Sequence, residues 1–284
     1  MSGTLEPSQV AHYRCNGYFS PVTVMAVDQA SKFLARYEKF RTRDGADRIL
    51  RTKPHLVLPW LYDLVRDPAV TEPVSSILGP NLLAWGSSFF SKHAGDPGYV
   101  SWHQDANYWG LKPHDVLTAW IAFSPSRREN GCMRVVPGSH LSKALPHEDT
   151  FAANNLLSRG QEIAVEVDES KAQEITLEPG EMSLHHVGTV HGSKPNNSDI
   201  PRIGYAIRYI ATNVRQIGVR TSATLAAGVD EYGHFETEPR PMKECDEAGL
   251  AFRHRALAQI QKVLYASAGS EGGKTRVSVA VEEG

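Results

Sequence analysis

Between Pro80 and Ile210 the chain is cut into short β-prone runs by turns of Gly, Pro, Asn and Asp, and few architectures use that many short strands in one domain. Runs over 82–90, around His103, 116–123, 132–136, 163–167, 173–177, 182–186 and 202–210 read as strands. Gly95-Asp96-Pro97-Gly98, Glu129-Asn130-Gly131 and Glu178-Pro179-Gly180-Glu181 read as the turns between them. The pattern predicts a mainly β protein, a double-sheet jelly roll with flanking helices. Residues 141–162 are polar and without periodicity, so they read as one long loop of the kind that often forms a lid.

Upstream, apolar residues at helical spacing between Pro21 and Arg43 predict an amphipathic helix. Asp67-Pro68 predicts the start of a second helix, over 69–78, that stops at Gly79-Pro80. A last helix is expected over 253–265, and a flexible tail, rich in Ser, Gly and charge, over 266–284. The organisation read from this is one domain over 1–265: a helical flank 1–80, a jelly-roll core 81–212 and a helical extension 213–265. A length of 284 residues suffices for one such core.

Inside the β-rich stretch stands Ser101-Trp102-His103-Gln104-Asp105. In an extended strand side chains alternate, so His103 and Asp105 share a face and Gln104 points the other way. An imidazole and a carboxylate together make two-thirds of the 2-His-1-carboxylate triad that holds non-heme iron while leaving positions open. Taken alone, the pair fits a buried structural histidine and a surface aspartate better than a ligand set. A second histidine decides it, and the residues offer His185, His186 and His191.

His103-x-Asp105, then Pro137-Gly138-Ser139-His140, then His191-Gly192-Ser193-x-Pro195-Asn196 with Arg202 beyond, resembles the phytanoyl-CoA dioxygenase family of Fe(II)/2-oxoglutarate oxygenases. The landmarks cover roughly residues 85 to 210 in the family's order. The resemblance implies the cupin-like, double-stranded β-helix form of the jelly roll, with Fe(II), 2-oxoglutarate and O2 as cofactor and co-substrates. It implies His191 as the third ligand beside His103 and Asp105, with His186 structural and His140 shaping a turn. It also assigns the far carboxylate of 2-oxoglutarate to Arg202, with Ser193 adding a hydroxyl and Gln104 and Trp120 lining the same pocket. Halogenating relatives carry a small residue where Asp105 stands, so the carboxylate points to oxygen transfer.

Alternation places Arg202, Gly204, Ala206 and Arg208 on one face of their strand, leaving Arg208 as a second cation. It fits an anionic substrate and an ion pair at the rim equally well. Asn107, Tyr108 and Trp109, next to the ligands, are substrate-contact candidates, with Trp85, Ser87 and Lys92 behind them. His93, His114 and His147 lie in polar sequence and read as solvated. The expected reaction is hydroxylation of an unactivated C–H in a small polar or zwitterionic metabolite, of amino-acid or aminoalkylphosphonate type. The alternatives are desaturation or another tailoring oxidation of a natural-product scaffold, and a cupin-like isomerase, lyase or hydrolase that uses no 2-oxoglutarate.

A net charge of −2 gives no bulk attraction to nucleic acid or an anionic membrane, so the expected partner is a small molecule. Three scattered cysteines fit a reducing compartment, and Met1–Pro7 lacks a basic-then-apolar leader pattern, which together predict a cytoplasmic protein.

Overall fold

The computed structural model describes residues 3–264. Its largest sheet has the strand order β1 (Tyr18–Thr23), β10 (Glu181–His186), β5 (Val116–Ala122), β12 (Arg202–Ala211), β2 (Leu82–Lys92), β14 (Ser222–Ala227) and β15 (Glu236–Thr237). Pairing is antiparallel from β1 to β14, and β15 runs parallel to β14. A smaller antiparallel sheet has the order β3 (Val100–His103), β11 (His191–Ser193), β6 (Met133–Val135) and β9 (Gln173–Ile175). Trp120, Ala122 and Ala206 of the large sheet meet Met133, Val135 and Ile175 of the small one in a shared apolar layer. Two antiparallel sheets packed in this way form the double-stranded β-helix, the cupin-like jelly roll. Two short ribbons complete the strands: β4 (Leu111–Lys112) with β13 (Arg215–Gln216), and β7 (His147–Asp149) with β8 (Gln161–Ile163).

The other face of the large sheet lies under helices α1 (Pro7–Asn16), α2 (Val27–Arg41), α3 (Ala46–Arg51), α4 (Pro59–Val65) and α5 (Pro68–Leu78). Covering both faces explains why β5 is buried at all seven positions and shows no apolar-polar alternation. The alternation is one of destination instead. Leu117, Ala119, Ile121 and Phe123 join the helical layer, as do Ile203, Tyr205, Ile207 and Tyr209 from β12. Thr118, Trp120, Arg202, Ala206 and Arg208 face the space between the sheets. Helix α5 starts and stops as its sequence predicts: the Asp67 side chain accepts the Ala69 N–H at 2.9 Å, Pro68 fills the first position, and Gly79 ends it at φ 92°. Two further helices, α6 (Ala106–Trp109) and α7 (Glu247–Leu264), lie beyond the first sheet strands.

The structure departs from the sequence reading in several places. Asp105 does not continue the strand of His103: β3 ends at His103, and Asp105 is already in the right-handed helical region at the start of α6. Residues 141–162 are not one loop, because β7 pairs there with β8; the three residues of β7 are polar and only partly buried, so no apolar face announces the ribbon. The strand read over 163–167 ends at Ile163. The helix read from Pro21 begins at Val27, since β1 first pairs with β10. The segment after 212 is not purely helical: β14 extends the large sheet by pairing with β2, and its small residues hid the strand. Helix α7 starts at Glu247 rather than 253, and Tyr265 and the tail 266–284 lie outside the described residues. Among the described residues no helix is long and apolar enough to cross a membrane.

Candidate metal centre and its cavity

His103 and His191 are register partners across the antiparallel β3–β11 pair, so residues 88 positions apart in the chain stand directly opposite each other, with ring centroids 4.1 Å apart. Each ring is pinned by its own strand: His103 Nδ1 donates to the Ser101 carbonyl and His191 Nδ1 to the Thr189 carbonyl, both at 2.9 Å. A protonated Nδ1 leaves the Nε2 lone pair free, which is the arrangement a metal-ligating imidazole needs. Asp105 closes the set, with Oδ1 3.4 Å from His103 Nε2. One ligand atom from each of the three residues lies within 4.8 Å of the others.

The electrostatics suit a cation. Burial pushes the Asp105 carboxyl upward, but the contact with His103 and the charge of Arg208 pull it down to about 2, so it stays anionic. Burial, followed by the nearby His103 and His185, lowers His191 well below the usual imidazole range, so it stays neutral and able to ligate.

The turn that swings Asp105 inward is tied down by Gln104. Its side-chain amide donates to the Gly188 carbonyl at 2.8 Å and accepts the Leu145 N–H at 2.9 Å, while its backbone N–H donates to His147 Nε2 at 2.9 Å. Gln104 therefore points away from the cavity and braces the loops behind the ligands, instead of lining the co-substrate pocket. His147 is a half-buried part of that brace rather than a solvated residue, and His114 is also half-buried, whereas His93 is exposed. Asn107 donates to the Leu145 carbonyl and lies outside the cavity wall.

Of the rival histidines, His186 accepts the Gly188 N–H at 3.0 Å and faces His140, ring centroids 5.3 Å apart, on the side away from the triad. His140 is held by the Arg14 carbonyl. His185 is different: its ring centroid is 4.6 Å from that of His191, burial lowers its pKa to about 4, and its Nδ1 is buried without a hydrogen-bond partner.

The triad opens into a cavity of about 510 Å³. At one end Arg202 lies over the Trp120 ring, 5.3 Å from its centroid, and donates to the Gly131 carbonyl at 2.6 Å, with its Nε buried and unpaired. Lys92, its register partner on β2, is fully buried and donates to Ser193 Oγ at 2.7 Å and to the Lys194 carbonyl. Burial, and then the charge of Arg202, depresses Lys92 to about 6; burial lowers Arg202 to about 10. Among the described residues neither side chain forms a salt bridge, and the carboxylate whose charge acts on both is Asp96. Sequence reasoning gave Lys92 only a weak place among substrate contacts. Its pairing with Arg202 follows from strand register, which the sequence does not print.

The opposite end is walled by Trp85, Trp109, Tyr108, Thr118 and Arg208. Trp85 and Trp109 pack on each other with centroids 5.4 Å apart, and Trp85 Nε1 donates to Gln216 and Thr221. Ser87 also lines the cavity, although its hydroxyl pairs with His55 Nδ1 at 2.6 Å.

Comparison with known proteins places these features in a family. The family model described as "Phytanoyl-CoA dioxygenase (PhyH)" matches residues 13–204. The chain is 30% identical over 208 residues to the "Probable alpha-ketoglutarate-dependent hypophosphite dioxygenase" of Stutzerimonas stutzeri, covering 70% of this chain and 68% of that protein. Matches to the human peroxisomal phytanoyl-CoA dioxygenase span only 46% of that protein's length, at 26% identity. Among solved structures, the non-heme monooxygenase ThoJ in its apo form superposes with a TM-score of 0.83 at 33% identity, over 93% of this chain and 100% of that one.

Proposed function

The chain belongs to the phytanoyl-CoA dioxygenase family, and from that premise we propose that His103, Asp105 and His191 hold Fe(II) while Arg202, Lys92 and Ser193 receive the far carboxylate of 2-oxoglutarate. The protein is a 2-oxoglutarate-dependent non-heme iron dioxygenase. One observation carries the assignment of residues: two imidazoles with pinned Nδ1 atoms and an anionic carboxylate stand in the same cavity as the buried Arg202 guanidinium, which forms no salt bridge among the described residues and has Lys92 as its register partner. A cupin-like isomerase or hydrolase without an acidic co-substrate has no use for such a guanidinium, which is expensive to bury without a salt-bridge partner.

The spacing also fits. His191 and Ser193 are two residues apart on β11, so they share a face and lie roughly 6–7 Å apart along the strand. That is about the distance between the chelating head and the distal carboxylate of a five-carbon 2-oxo diacid.

When bound, Fe(II) with 2-oxoglutarate and O2 supplies the oxidation: one oxygen atom enters the substrate C–H as a hydroxyl and the other leaves in succinate, with release of CO2. The side chains of the protein bind and orient. The carbonyls of Ser101 and Thr189 hold the two imidazole protons on Nδ1, so that both Nε2 lone pairs point inward. Trp120 presents a flat face that keeps the Arg202 guanidinium aimed at the cavity, and the aromatic wall of Trp85, Trp109 and Phe90 limits water at the other end.

The substrate is a small polar or zwitterionic metabolite of amino-acid or aminoalkylphosphonate type. A cavity of about 510 Å³ that must also admit 2-oxoglutarate leaves room for a molecule of that size. Support also comes from the relative whose name gives hypophosphite, a small phosphorus oxyanion, as its substrate. Anaerobic addition of Fe(II) and 2-oxoglutarate is expected to give a visible metal-to-ligand charge-transfer band that His191→Ala abolishes. A metabolite screen for substrate-dependent succinate release follows. A folded wild-type protein that shows no band overturns the assignment.

A further inference from the structure

The end of the cavity away from Arg202 carries a second polar row that co-substrate binding does not use. His185 pairs in register with Thr118 across β10–β5, and Thr118 pairs with Arg208 across β5–β12. Directly opposed residues of antiparallel strands have Cβ atoms about 4.5–5.5 Å apart, so the three side chains stand in line on the cavity face of the large sheet.

Each member is underused. Thr118 Oγ1 and His185 Nδ1 are buried with no hydrogen-bond partner, in residues only 3% and 2% exposed. Arg208 donates to Ser88 Oγ at 2.6 Å and lies against Trp109 and Phe90, 5.6 Å from each ring centroid. Among the described residues it has no salt bridge, and the carboxylate whose charge acts on it is Asp105. Metal binding commits that carboxylate elsewhere. A guanidinium fixed on aromatic faces beside an unpartnered hydroxyl and ring nitrogen is a built receptor for an oxyanion.

We propose that Arg208, Thr118 and His185 bind the anionic oxyacid group of the substrate, a carboxylate or a phosphonate, and so set which C–H is presented to the metal. This rests on the function proposed above. Arg208 supplies the charge and forked donors, and Thr118 Oγ1 donates a further hydrogen bond. His185, whose ring lies 4.6 Å from that of His191, places the anion next to the triad, so the carbon bonded to the oxyacid group is the one nearest the reacting centre. Arg202 and Lys92 hold the co-substrate at one end, and this row holds the substrate at the other.

The test uses the full chain loaded anaerobically with Fe(II) and 2-oxoglutarate, titrated with methylphosphonate, acetate and, as a neutral control, acetamide. Heat and the charge-transfer band are the two readouts. Saturable binding of at least one anion, with a shift of the band and no response to acetamide, is expected, and the tighter anion identifies phosphonate or carboxylate as the class. Arg208→Gln and Thr118→Val should each keep the 2-oxoglutarate band while anion affinity falls about tenfold or more, and Arg208→Lys should recover part of the loss. Thr118→Val carries the test alone if Arg208→Gln does not fold. The proposal is overturned if the band forms but neither anion binds saturably, or if both variants bind as wild type does. It is overturned equally if Arg208→Gln loses the band itself, since Arg208 would then serve the co-substrate. A wild type without any band fails at the earlier step, the metal and co-substrate assignment, and takes this proposal with it.

Discussion

Lys92 Nζ donates a hydrogen bond to Ser193 Oγ at 2.7 Å although the two residues are 101 positions apart. The contact puts an amine inside the protein beside Arg202, where an arriving anion favours its charged form.

That expectation has a proton signature. Burial and Arg202 hold Lys92 at about 6 in the free protein, so near pH 7.5 it is mostly neutral. A bound dicarboxylate favours the ammonium and raises its pKa, so 2-oxoglutarate binding at about pH 7.5 should take up close to one proton, falling towards zero as the pH drops below about 6. Calorimetry in buffers of different ionisation enthalpy measures this directly. Lys92→Met should show no uptake and bind 2-oxoglutarate roughly tenfold more weakly; unchanged uptake in that variant would remove Lys92 from the site.

Gly204 is required by Trp120. A Cβ built at position 204 would sit 1.8 Å from Trp120 Cζ2, inside the indole. Gly204→Ala should therefore displace the ring on which Arg202 rests, destabilising the fold by about 1–3 kcal/mol and weakening 2-oxoglutarate binding. Thermal melts and co-substrate titration check the two effects separately. Wild-type affinity in the variant would mean that Trp120 does not position the guanidinium.

Glu238 anchors the far side of the large sheet. Its carboxylate, fully shielded, accepts hydrogen bonds from Lys53, from His55 Nε2 at 3.0 Å, from Ser222 Oγ at 2.7 Å and from Thr224 Oγ1 at 2.6 Å. Burial tends to raise its pKa, but the Lys53 charge and the His55 hydrogen bond bring it from the ordinary 4.5 to about 2. A folded-state pKa below the unfolded one contributes stability that is present above pH 4.5 and lost as pH falls towards about 2. Glu238→Gln should cost about 3–5 kcal/mol near neutral pH by leaving Lys53 buried without its partner. Urea unfolding across pH should show a flatter acid limb in the variant, and equal limbs would rule out the carboxylate as the titrating group.

The sequence by itself carried the ordered landmarks from His103 to Arg202 and the alternation of β12, because both are properties of local chain order. Strand period alone put Arg202 and Arg208 on one face, and that face is the cavity wall. The same local rule misled at Asp105, where the strand stops at His103 and a turn braced by Gln104 does the aiming. It gave Lys92 only a weak place and did not reach Thr118 or Glu238. Alternation says which face a side chain takes, but not which strand lies beside it. Register is set by pairing between distant segments, and only the folded sheets bring His103 opposite His191, Lys92 opposite Arg202 and Thr118 between His185 and Arg208.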